Sequence, residues 1–412
     1  MFTVGENFRN RIFLTLCLMG TFAILSSTMS KSPVLKLFAT SLNTPEGFWM
    51  GFVASASTIP GILVSLPAAS LSDVFGRRKI LLVSAAVFAS APFLYLLISA
   101  WWQLVLVRFY HGFATAMFVP VTEASIAESF PLKRGERISL LSSARTVGRG
   151  VAPFLGGYIL FVSDSNYNML YLAVGVAGVT ALLTSLFFLT ERRQADIKPD
   201  TSETTASKLL DGWRTVAGNS SILGASFIQA SQFYVFGAVE FFLVGFMKEV
   251  VQLDPFEIGV VMGIQIVAVT LTKPVMGRVS DAVGRRNPII AGSFVGGVPL
   301  LLIPLATELS ALILLSIVYG IGFAMVTAST PALVSELAPR NLTGTAMGFL
   351  CTTMDVGQTI GPLITGMVVA TNLSYGGAFL ALAAVLFLST LISVLIRFAH
   401  RKDDEISLIS NE

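Results

Sequence analysis

The chain has 412 residues, of which 54% are hydrophobic and only 12% are charged, whereas soluble proteins have about 25% charged residues. Its mean hydropathy is +0.77. This composition excludes an ordinary water-soluble fold, and the net charge of +3 is unremarkable by itself.

Apolar windows of about 20 residues, long enough to cross a hydrocarbon core of roughly 30 Å, recur from Ile12 to Phe398. Closed barrels show alternating strands rather than continuous apolar blocks, so the windows indicate helices. We therefore predict an all-α integral membrane fold. Its twelve transmembrane helices are expected at 11–40, 47–71, 79–99, 102–128, 138–162, 168–190, 218–247, 255–279, 287–306, 309–336, 343–370 and 374–398.

The first apolar segment is too long for a signal-peptide core, and we expect it to remain as a membrane span. Both cysteines, Cys17 and Cys351, fall inside predicted spans. A thiol in that setting usually behaves as a small hydrophobe, so no disulfide framework is expected.

Positive charge is concentrated in alternate loops. One side carries "FGRRK", "PLKRGER", "TERRQ", "VGRRN" and "RFAHRK", while the opposite loops hold Glu46, Asp164, Asp254 and Glu308. The Lys/Arg excess marks the cytoplasmic face. The pattern predicts a multi-pass protein of the cell (plasma or inner) membrane with both termini cytoplasmic, and it accounts for the basic residues without nucleic acid.

One phrase is written twice, as "LSDVFGRRK" at 71–79 and "VSDAVGRRN" at 279–287, a shift of 281 − 73 = 208 positions. The acids that end predicted helices 4 and 10, Glu128 and Glu336, are also 208 apart. A glycine and proline pattern recurs 209 positions later, with Gly148, Pro153 and Gly157 answered by Gly357, Pro362 and Gly366. The chain therefore contains one six-helix unit written twice.

The repeat predicts two pseudo-symmetric six-helix bundles. We assign 1–190 to the N-terminal bundle, 191–217 to a polar cytoplasmic linker, 218–400 to the C-terminal bundle and 401–412 to a cytoplasmic tail. Duplication of this kind is typical of secondary transporters, which bind substrate near the bilayer midplane where the repeats meet.

With these features the chain resembles the major facilitator superfamily over essentially its whole length. The family signature between helices 2 and 3 is G-x-x-x-D-R-x-G-R-R/K. The first copy departs from it at Ala69 and Val74, and the second copy keeps Gly277.

Glycine at 76 and 284 permits a tight turn, and the adjacent arginines can fork onto carboxylates. The resemblance implies a conformational latch in which the first retained arginine pairs the acid that ends helix 4 or helix 10. A simple topology signal is the alternative. The latch residues are Asp73, Gly76, Arg77, Arg78, Glu128, Asp281, Gly284, Arg285, Arg286 and Glu336.

Ionisable residues inside membrane spans are costly and mark functional sites. Asp355, near the middle of predicted helix 11, is expected to couple transport to protons; a contact to a cationic substrate or a static ion pair are the alternatives. Glu240, in predicted helix 7, is the second such candidate, against an interfacial carboxylate. Glu123 in helix 4 completes the acids of this group.

Arg108, in "LVLVRFYHGF", matches the family motif of helix 4, with His111 where glutamine is usual and Gly112 retained. The resemblance implies a role in proton coupling for Arg108. His111 is expected to be neutral and to point at a neighbouring residue.

Arg145 and Arg149 lie one helical turn apart and share a face. With Lys31 they suit an anionic ligand or a carboxylate, Glu123 and Asp355 being the available acids. This leaves an anionic substrate open. Further cavity candidates on helix 7 are Gln229, Gln232 and Tyr234, although an aromatic stripe is more often packing.

The stretch "GRGVAPFLGG" resembles the helix 5 motif of the drug:proton antiporter branch, with Ala152 in place of a glycine, and "GQTIGPLITG" repeats it in helix 11. Small residues allow two helices to approach closely, and proline removes a backbone donor. We assign to this helix-packing motif Gly148, Pro153, Gly156, Gly157, Gly357, Gly361 and Pro362.

The sequence thus predicts a secondary active transporter, not an enzyme, that works by alternating access and exports small, largely apolar compounds against protons. The alternatives are uptake or exchange of an organic anion, and a membrane receptor or scaffold that transports nothing. No nucleotide-binding loop, cofactor site or metal cluster is expected. The partners implied are a small-molecule substrate, protons and the lipid bilayer, with the chain acting as a monomer.

Overall fold

The chain folds into helices joined by short turns. The computed structural model describes residues 4–130, 134–188, 213–339 and 342–396, and no strand occurs in these ranges. The first two ranges form α1 (Val4–Met29), α2 (Val34–Ser41), α3 (Phe48–Ser55), α4 (Ile59–Phe75), α5 (Arg77–Tyr95), α6 (Trp101–Ser129), α7 (Arg134–Val162) and α8 (Tyr167–Phe188).

The remaining ranges begin with a short helix, α9, at 213–218. The helices that follow are α10 (Ser220–Glu249), α11 (Pro255–Val283), α12 (Arg286–Leu302), α13 (Leu309–Leu337), α14 (Thr343–Val369) and α15 (Ser374–Leu395), with a 3₁₀ turn at Ile303–Leu305 after α12.

Two predicted spans are each divided into two helices. The span 11–40 is interrupted between Met29 and Val34, and the span 47–71 between Ser55 and Ile59. Proline explains both breaks, because Pro33 and Pro60 lack the N–H that would continue the helical hydrogen bonds. Lys31 therefore lies in the break between α1 and α2 rather than within a continuous helix.

Ten stretches of the described helices are long and apolar enough to cross a membrane. The two predicted spans that are not among them correspond to α7 and α14. These helices have 29 and 27 residues, about 40 Å at 1.5 Å per residue, so their length suffices to cross. Their polar and charged residues, among them Arg145, Arg149 and Asp355, make them less apolar.

The described residues form two compact units. Unit 1 comprises those of Met1–Pro199, Ala238–Ile266 and Pro362–Ala370, and unit 2 those of Asp200–Gly237, Val267–Gly361 and Thr371–Glu412. Unit 1 thus includes the end of α10, the beginning of α11 and the end of α14. The predicted linker lies largely in 189–212, outside the described residues, as does the tail at 401–412, so the division into 1–190 and 218–400 stays a prediction.

Each unit has its own apolar core. In unit 1, Leu16, Phe88 and Phe118 are fully buried in a cluster of residues from α1, α5, α6, α7 and α8. In unit 2, Ile228 and Val326 are fully buried in a cluster from α9, α10, α12, α13 and α14. These cores hold the polar side chains described below in fixed positions.

Candidate functional site

The repeated turn has the same geometry in both copies. Gly76 has φ +93° between α4 and α5, and Gly284 has φ +86° between α11 and α12. This left-handed conformation is costly for residues with a Cβ, so glycine favours a turn in which one residue separates α4 from α5 and two residues separate α11 from α12.

Arg77 forms a two-bond contact with the acid at the end of α6. Its Nε donates to Glu128 Oε2 at 2.8 Å and its Nη2 to Oε1 at 2.5 Å, while Nη1 donates to Ser72 Oγ at 3.3 Å. The side chain of Asp73 lies outside the described residues. Arg78 has a buried Nε for which the described residues provide no hydrogen-bond partner.

Arg285 repeats this arrangement in unit 2. Its Nε donates to Glu336 Oε1 at 2.9 Å and its Nη1 to Ser280 Oγ at 2.8 Å, and Asp281 forms an ion pair with it. Burial acts to lower the pKa of Arg285, but the hydrogen bonds and charges of Glu336 and Asp281 outweigh it and the pKa is raised. The neighbouring Arg286 donates to the carbonyls of Ser393 and Val394, near the end of α15.

The serine in each copy was not singled out from the sequence. Ser72 and Ser280 are 280 − 72 = 208 positions apart and accept a hydrogen bond from Arg77 and Arg285 respectively. The same repeat that reveals the aspartates would have revealed them.

Arg108 is 1% exposed and binds the break in the second predicted span. Its Nη2 donates to Ser57 Oγ at 2.7 Å and to the Ala54 carbonyl at 3.3 Å. One turn later Gly112 packs against the carbonyl of Ser57 so closely that a Cβ there would clash. Arg108 through its hydrogen bonds and Gly112 through its close contact therefore pack α6 against the interrupted backbone between α3 and α4.

His111 is buried beside Arg108. Its Nδ1 lies 3.5 Å from the hydroxyl of Tyr95, and its Nε2 is buried with no hydrogen-bond partner among the described residues. The rings of Tyr95 and Tyr171 stack with centroids 4.3 Å apart. An aromatic layer thus encloses this end of α6.

Two lysines of the first predicted span pair with two glutamates of α10 within unit 1. Lys31 Nζ lies 3.9 Å from Glu240 Oε2, and Lys36 Nζ lies 3.0 Å from Glu249 Oε1. Lys36 and Glu249 were not predicted as site residues. Lys36 was recognisable as a cation within an apolar span, but its partner, 213 positions away, was not.

The cations of α7 are placed differently from one another. Arg145 Nη2 donates to Glu123 Oε1 at 2.6 Å, while Nη1 is buried without a hydrogen-bond partner among the described residues. Arg149, one turn later, is exposed, and its charge acts on Lys31 together with that of Arg108. Of the two acids that the sequence suggested as partners for these arginines, Glu123 is paired with Arg145.

Asp355 lies in unit 2, 355 − 343 = 12 residues into α14. Within the described part of that unit no side chain forms an ion pair or hydrogen bond with its carboxylate; Thr359 bonds only its backbone carbonyl. The Asp355 carboxylate thus has no fixed partner among the residues of its own unit that the structure describes.

The amides of α10 are buried in unit 2. Gln232 Nε2 donates to Ser293 Oγ at 3.2 Å, and the Oε1 atoms of Gln229 and Gln232 have no hydrogen-bond partner among the described residues. Phe236 and Phe323 stack nearby with centroids 4.7 Å apart. Lys273 Nζ lies 6.0 Å from the ring centroid of Phe323; this lysine, although it interrupts an apolar span, was not among the predicted residues.

Glycines bring helix backbones into contact within unit 1. A Cβ at Gly157 would lie 2.5 Å from the Pro255 carbonyl oxygen and 3.0 Å from Gly259 Cα, so α7 and α11 touch there. Gly51 of α3 packs in the same way against Pro362 of α14, and Gly366 against Gly47.

These two contacts are related by the repeat. Gly259 follows Gly51 by 259 − 51 = 208 positions, and Gly366 follows Gly157 by 366 − 157 = 209. The α7–α11 contact and the α14–α3 contact are therefore equivalent. Gly51 and Gly259 were missed in the sequence, although their spacing matches the repeat.

The other packing glycines lie within each repeat. Gly148 packs on the carbonyl of Thr21 in α1, and Gly156 contacts Met29 and Pro33. In unit 2, Gly357 packs on Ala230 and Gly361 on Tyr234 of α10. Small residues thus hold α7 against α1, and α14 against α10.

A duplicated helical fold with charged residues inside its membrane-spanning helices is typical of secondary transporters. The family model of the Major Facilitator Superfamily matches residues 12–247 and 225–409. The chain belongs to this superfamily.

Individual relatives agree with this assignment. The multidrug resistance protein MdtG of Dickeya zeae is 26% identical over 374 residues, covering 88% of each chain. The multi-drug resistance efflux pump PmrA of Streptococcus pneumoniae is 23% identical over 383 residues, covering 91% of this chain and 94% of that one.

Among solved structures, a bacterial homologue of the human lysosomal transporter Spinster superimposes with a TM-score of 0.77 at 15% identity, covering 94% of this chain and 96% of the other. The likeness shows a shared fold.

Proposed function

We propose that this secondary transporter works by alternating access and exports small, largely apolar compounds in exchange for protons. The efflux of apolar compounds is supported by relatives named for multidrug resistance that match nearly the whole chain. The coupling to protons and the alternation of access are supported by the arrangement of the described residues.

Asp355 carries the proposal of proton coupling. A carboxylate inside a membrane-spanning helix is costly in its ionised form, and this one has no fixed partner within the described part of its own unit. Its protonation is then free to follow the water and substrate that reach it. Glu240, held 3.9 Å from Lys31, is the second acid able to take up a proton during the cycle.

Alternating access requires contacts between helices that can form and break as groups of helices move. The glycine contacts of α7 with α11 and of α14 with α3 are close and repeated. The Arg77–Glu128 and Arg285–Glu336 pairs are partly exposed; exposed ion pairs contribute about 0.2–1 kcal/mol each. Contacts of that strength bias an equilibrium between two states without fixing it.

The test is transport in proteoliposomes under an imposed pH gradient, with a fluorescent lipophilic dye as cargo. We expect Asp355→Asn to abolish uphill transport while downhill equilibration of the dye persists, because the asparagine cannot exchange a proton. Glu240→Gln is expected to reduce uphill transport at least tenfold.

Glu308→Gln is the matched control, since Glu308 is an exposed acid of the same unit as Asp355. Uphill transport at the unmodified rate in both Asp355→Asn and Glu240→Gln would refute proton coupling through these acids. A wild-type protein that moves no dye under any gradient would favour the receptor or scaffold alternative.

A further inference from the structure

We infer that the break between α3 and α4 is a mobile joint, present in the first copy of the repeat alone, and that Arg108 is the positioning residue that holds it. The joint allows α3 and α4 to move separately during the transport cycle. The inference rests on the proposed alternating access for the movement that the joint serves, and it goes further by naming the element that bends and the side chain that controls it.

Arg108 supplies a hydrogen bond that the break removes. In a continuous helix the Ala54 carbonyl would accept from the N–H of Thr58, but that N–H donates to the Ser55 carbonyl at 2.9 Å. The Nη2 of Arg108 donates instead to the Ala54 carbonyl at 3.3 Å and to Ser57 Oγ at 2.7 Å. Both acceptors are neutral oxygens, so these bonds hold the backbone of the break and do not pair Arg108 with an acid.

The second copy has neither the break nor the arginine. The counterpart of α3 and α4 is α11, which runs unbroken over Pro255–Val283. Ser316 occupies the position equivalent to Arg108, since 316 − 108 = 208, and Ala268 the position equivalent to Pro60, since 268 − 60 = 208. The proline and the arginine thus occur together in one copy and are replaced together in the other, as expected if Arg108 compensates for the break.

The two sides of the joint are held by different helices of unit 1. Gly51 of α3 packs against α14, where a Cβ would lie 2.3 Å from the Pro362 carbonyl oxygen. α4 ends before Gly76, and the next residue, Arg77, binds Glu128 at the end of α6. A joint between these attachments permits α3 to follow α14 while α4 stays with α6.

α6 offers the joint a smooth surface on which to turn. A Cβ at Gly112 would lie 2.4 Å from the Ser57 carbonyl oxygen and 3.0 Å from Pro60 Cγ. The glycine presents no side chain that would interlock with the break. The backbone at Ser57 can therefore turn on α6 while the hydrogen bonds of Arg108, one helical turn before Gly112, keep it in place.

Spin labels test the joint without requiring transport. Labels are attached at Phe48→Cys of α3 and Leu63→Cys of α4 in the full-length protein freed of its native cysteines; these positions are 44% and 59% exposed. The control pair is Phe256→Cys and Leu271→Cys, the positions 208 later on the unbroken α11, which are 40% and 68% exposed. Double electron–electron resonance gives the distribution of distances within each pair.

We expect the distance distribution of the 48 and 63 pair to be at least twice as broad as that of the control pair, because a hinge absorbs backbone rotations that a continuous helix does not. Arg108→Ser should broaden it further, since the Ala54 carbonyl loses its donor. Adding Pro60→Ala restores an N–H that can continue the helix, and the width should then fall to that of the control pair. Equal widths for the two pairs in the wild type would overturn the inference.

Transport shows whether the joint serves the cycle. We expect Ser57→Ala, and the folded double variant of Pro60→Ala with Arg108→Ser, to slow uphill and downhill dye transport by the same factor, at least fivefold, because the span must bend in both directions of transport. Ser84→Ala is the matched control, since it removes a buried hydroxyl that donates to the Ala114 carbonyl of α6 at 2.8 Å; it should transport like the wild type.

Wild-type rates in the double variant would show that the cycle needs no joint and would overturn the inference. Loss of uphill transport alone in Ser57→Ala would assign Arg108 to proton coupling and would also overturn its role in the joint. Should the wild type move no dye under any gradient, the proposed function fails, and the spin-label distances still decide whether this span bends.

Discussion

At the scale of single residues, arginines of the repeated turn do more than mark a membrane face. Arg77 and Arg285 each join a serine at the end of one helix to a glutamate at the end of another. The planar guanidinium serves both partners at once, which a lysine ammonium cannot do with the same geometry. The turn is thereby fixed to the end of α6 or α13.

We predict that Arg285→Lys alters transport more than stability. The expected loss of folding free energy is about 1 kcal/mol or less, since the pair is partly exposed, whereas transport should change about fivefold because such an energy is large against a balanced two-state equilibrium. A double-mutant cycle with Glu336→Gln, read out as initial transport rate, measures the coupling.

Arg278→Lys serves as the control, because Arg278 is an exposed arginine near the same end of α11. Strictly additive effects of the substitutions at Arg285 and Glu336 would show that the pair is a topology signal and turn rather than a latch.

The site residues that could be predicted from the sequence are those that recur in the repeat or that carry a charge inside an apolar span. The pairing of Arg77 with the acid at the end of helix 4 follows from a family pattern written twice. Lys31 and Glu240 were each recognisable as charges in apolar spans, but their proximity depends on how α10 packs beside the break after α1, over 240 − 31 = 209 positions. That separation equals the repeat, so the two charges occupy equivalent positions of the two copies, but equivalence in a repeat does not by itself predict contact.

At the scale of helices, the glycine contacts define where pairs of helices approach most closely. α7 meets α11 at Gly157 and Gly259, and α14 meets α3 through Gly366 and Gly51. Contacts between backbones tolerate no added side chain. They are suited to sites that must close completely in one state of a cycle.

We predict that Gly157→Leu abolishes most gradient-driven transport. The new side chain would separate α7 from α11 and shift the population toward states in which this contact is open. The matched control is Gly150→Leu on the same helix, where a Cβ would meet nothing within 4 Å; it should retain transport, because leucine in place of glycine only favours the helix.

Both rates are measured in proteoliposomes at equal reconstituted protein. Transport by Gly157→Leu at the rate of Gly150→Leu would show that the α7–α11 contact is not required to close.

The positions of the helices could be predicted from the lengths of the apolar stretches, but the interruptions within two of the predicted spans could not. The apolar composition around 30–33 and 56–58 hides two breaks that Pro33 and Pro60 impose. Proline is often tolerated inside long membrane helices, and α5, α6, α7, α11 and α14 all contain one. The sequence therefore does not distinguish a proline that ends a helix from one that only bends it.

At the scale of the molecule, the two copies of a six-helix unit account for most of the features described. The turn, the serine and glutamate bound by its arginine, and the glycine contacts all recur at 208 or 209 positions. The charges inside the spans are not repeated as the same residue types: Arg145, Arg149 and Asp355 have no charged counterpart 208 or 209 positions away, and Lys31 is answered by a residue of opposite charge, Glu240. We therefore assign the proposed movement to the repeated features and the proposed proton coupling to charges that are not repeated.

The most direct test of alternating access is a reversible cross-link across the α7–α11 contact. Tyr158 and Phe256 have ring centroids 6.2 Å apart and are largely exposed, so both can be replaced by cysteine after the native Cys17 and Cys351 are removed. A short bis-methanethiosulfonate reagent then joins them. The control pair is Phe109 and Phe113, 5.2 Å apart on α6 alone.

The quantity measured is pH-gradient-driven dye transport before cross-linking, after it, and after reduction. If access alternates through this contact, the cross-link at 158 and 256 stops transport, reduction restores it, and the cross-link at 109 and 113 changes nothing. Undiminished transport by protein fully cross-linked at 158 and 256 would contradict alternating access through the α7–α11 contact.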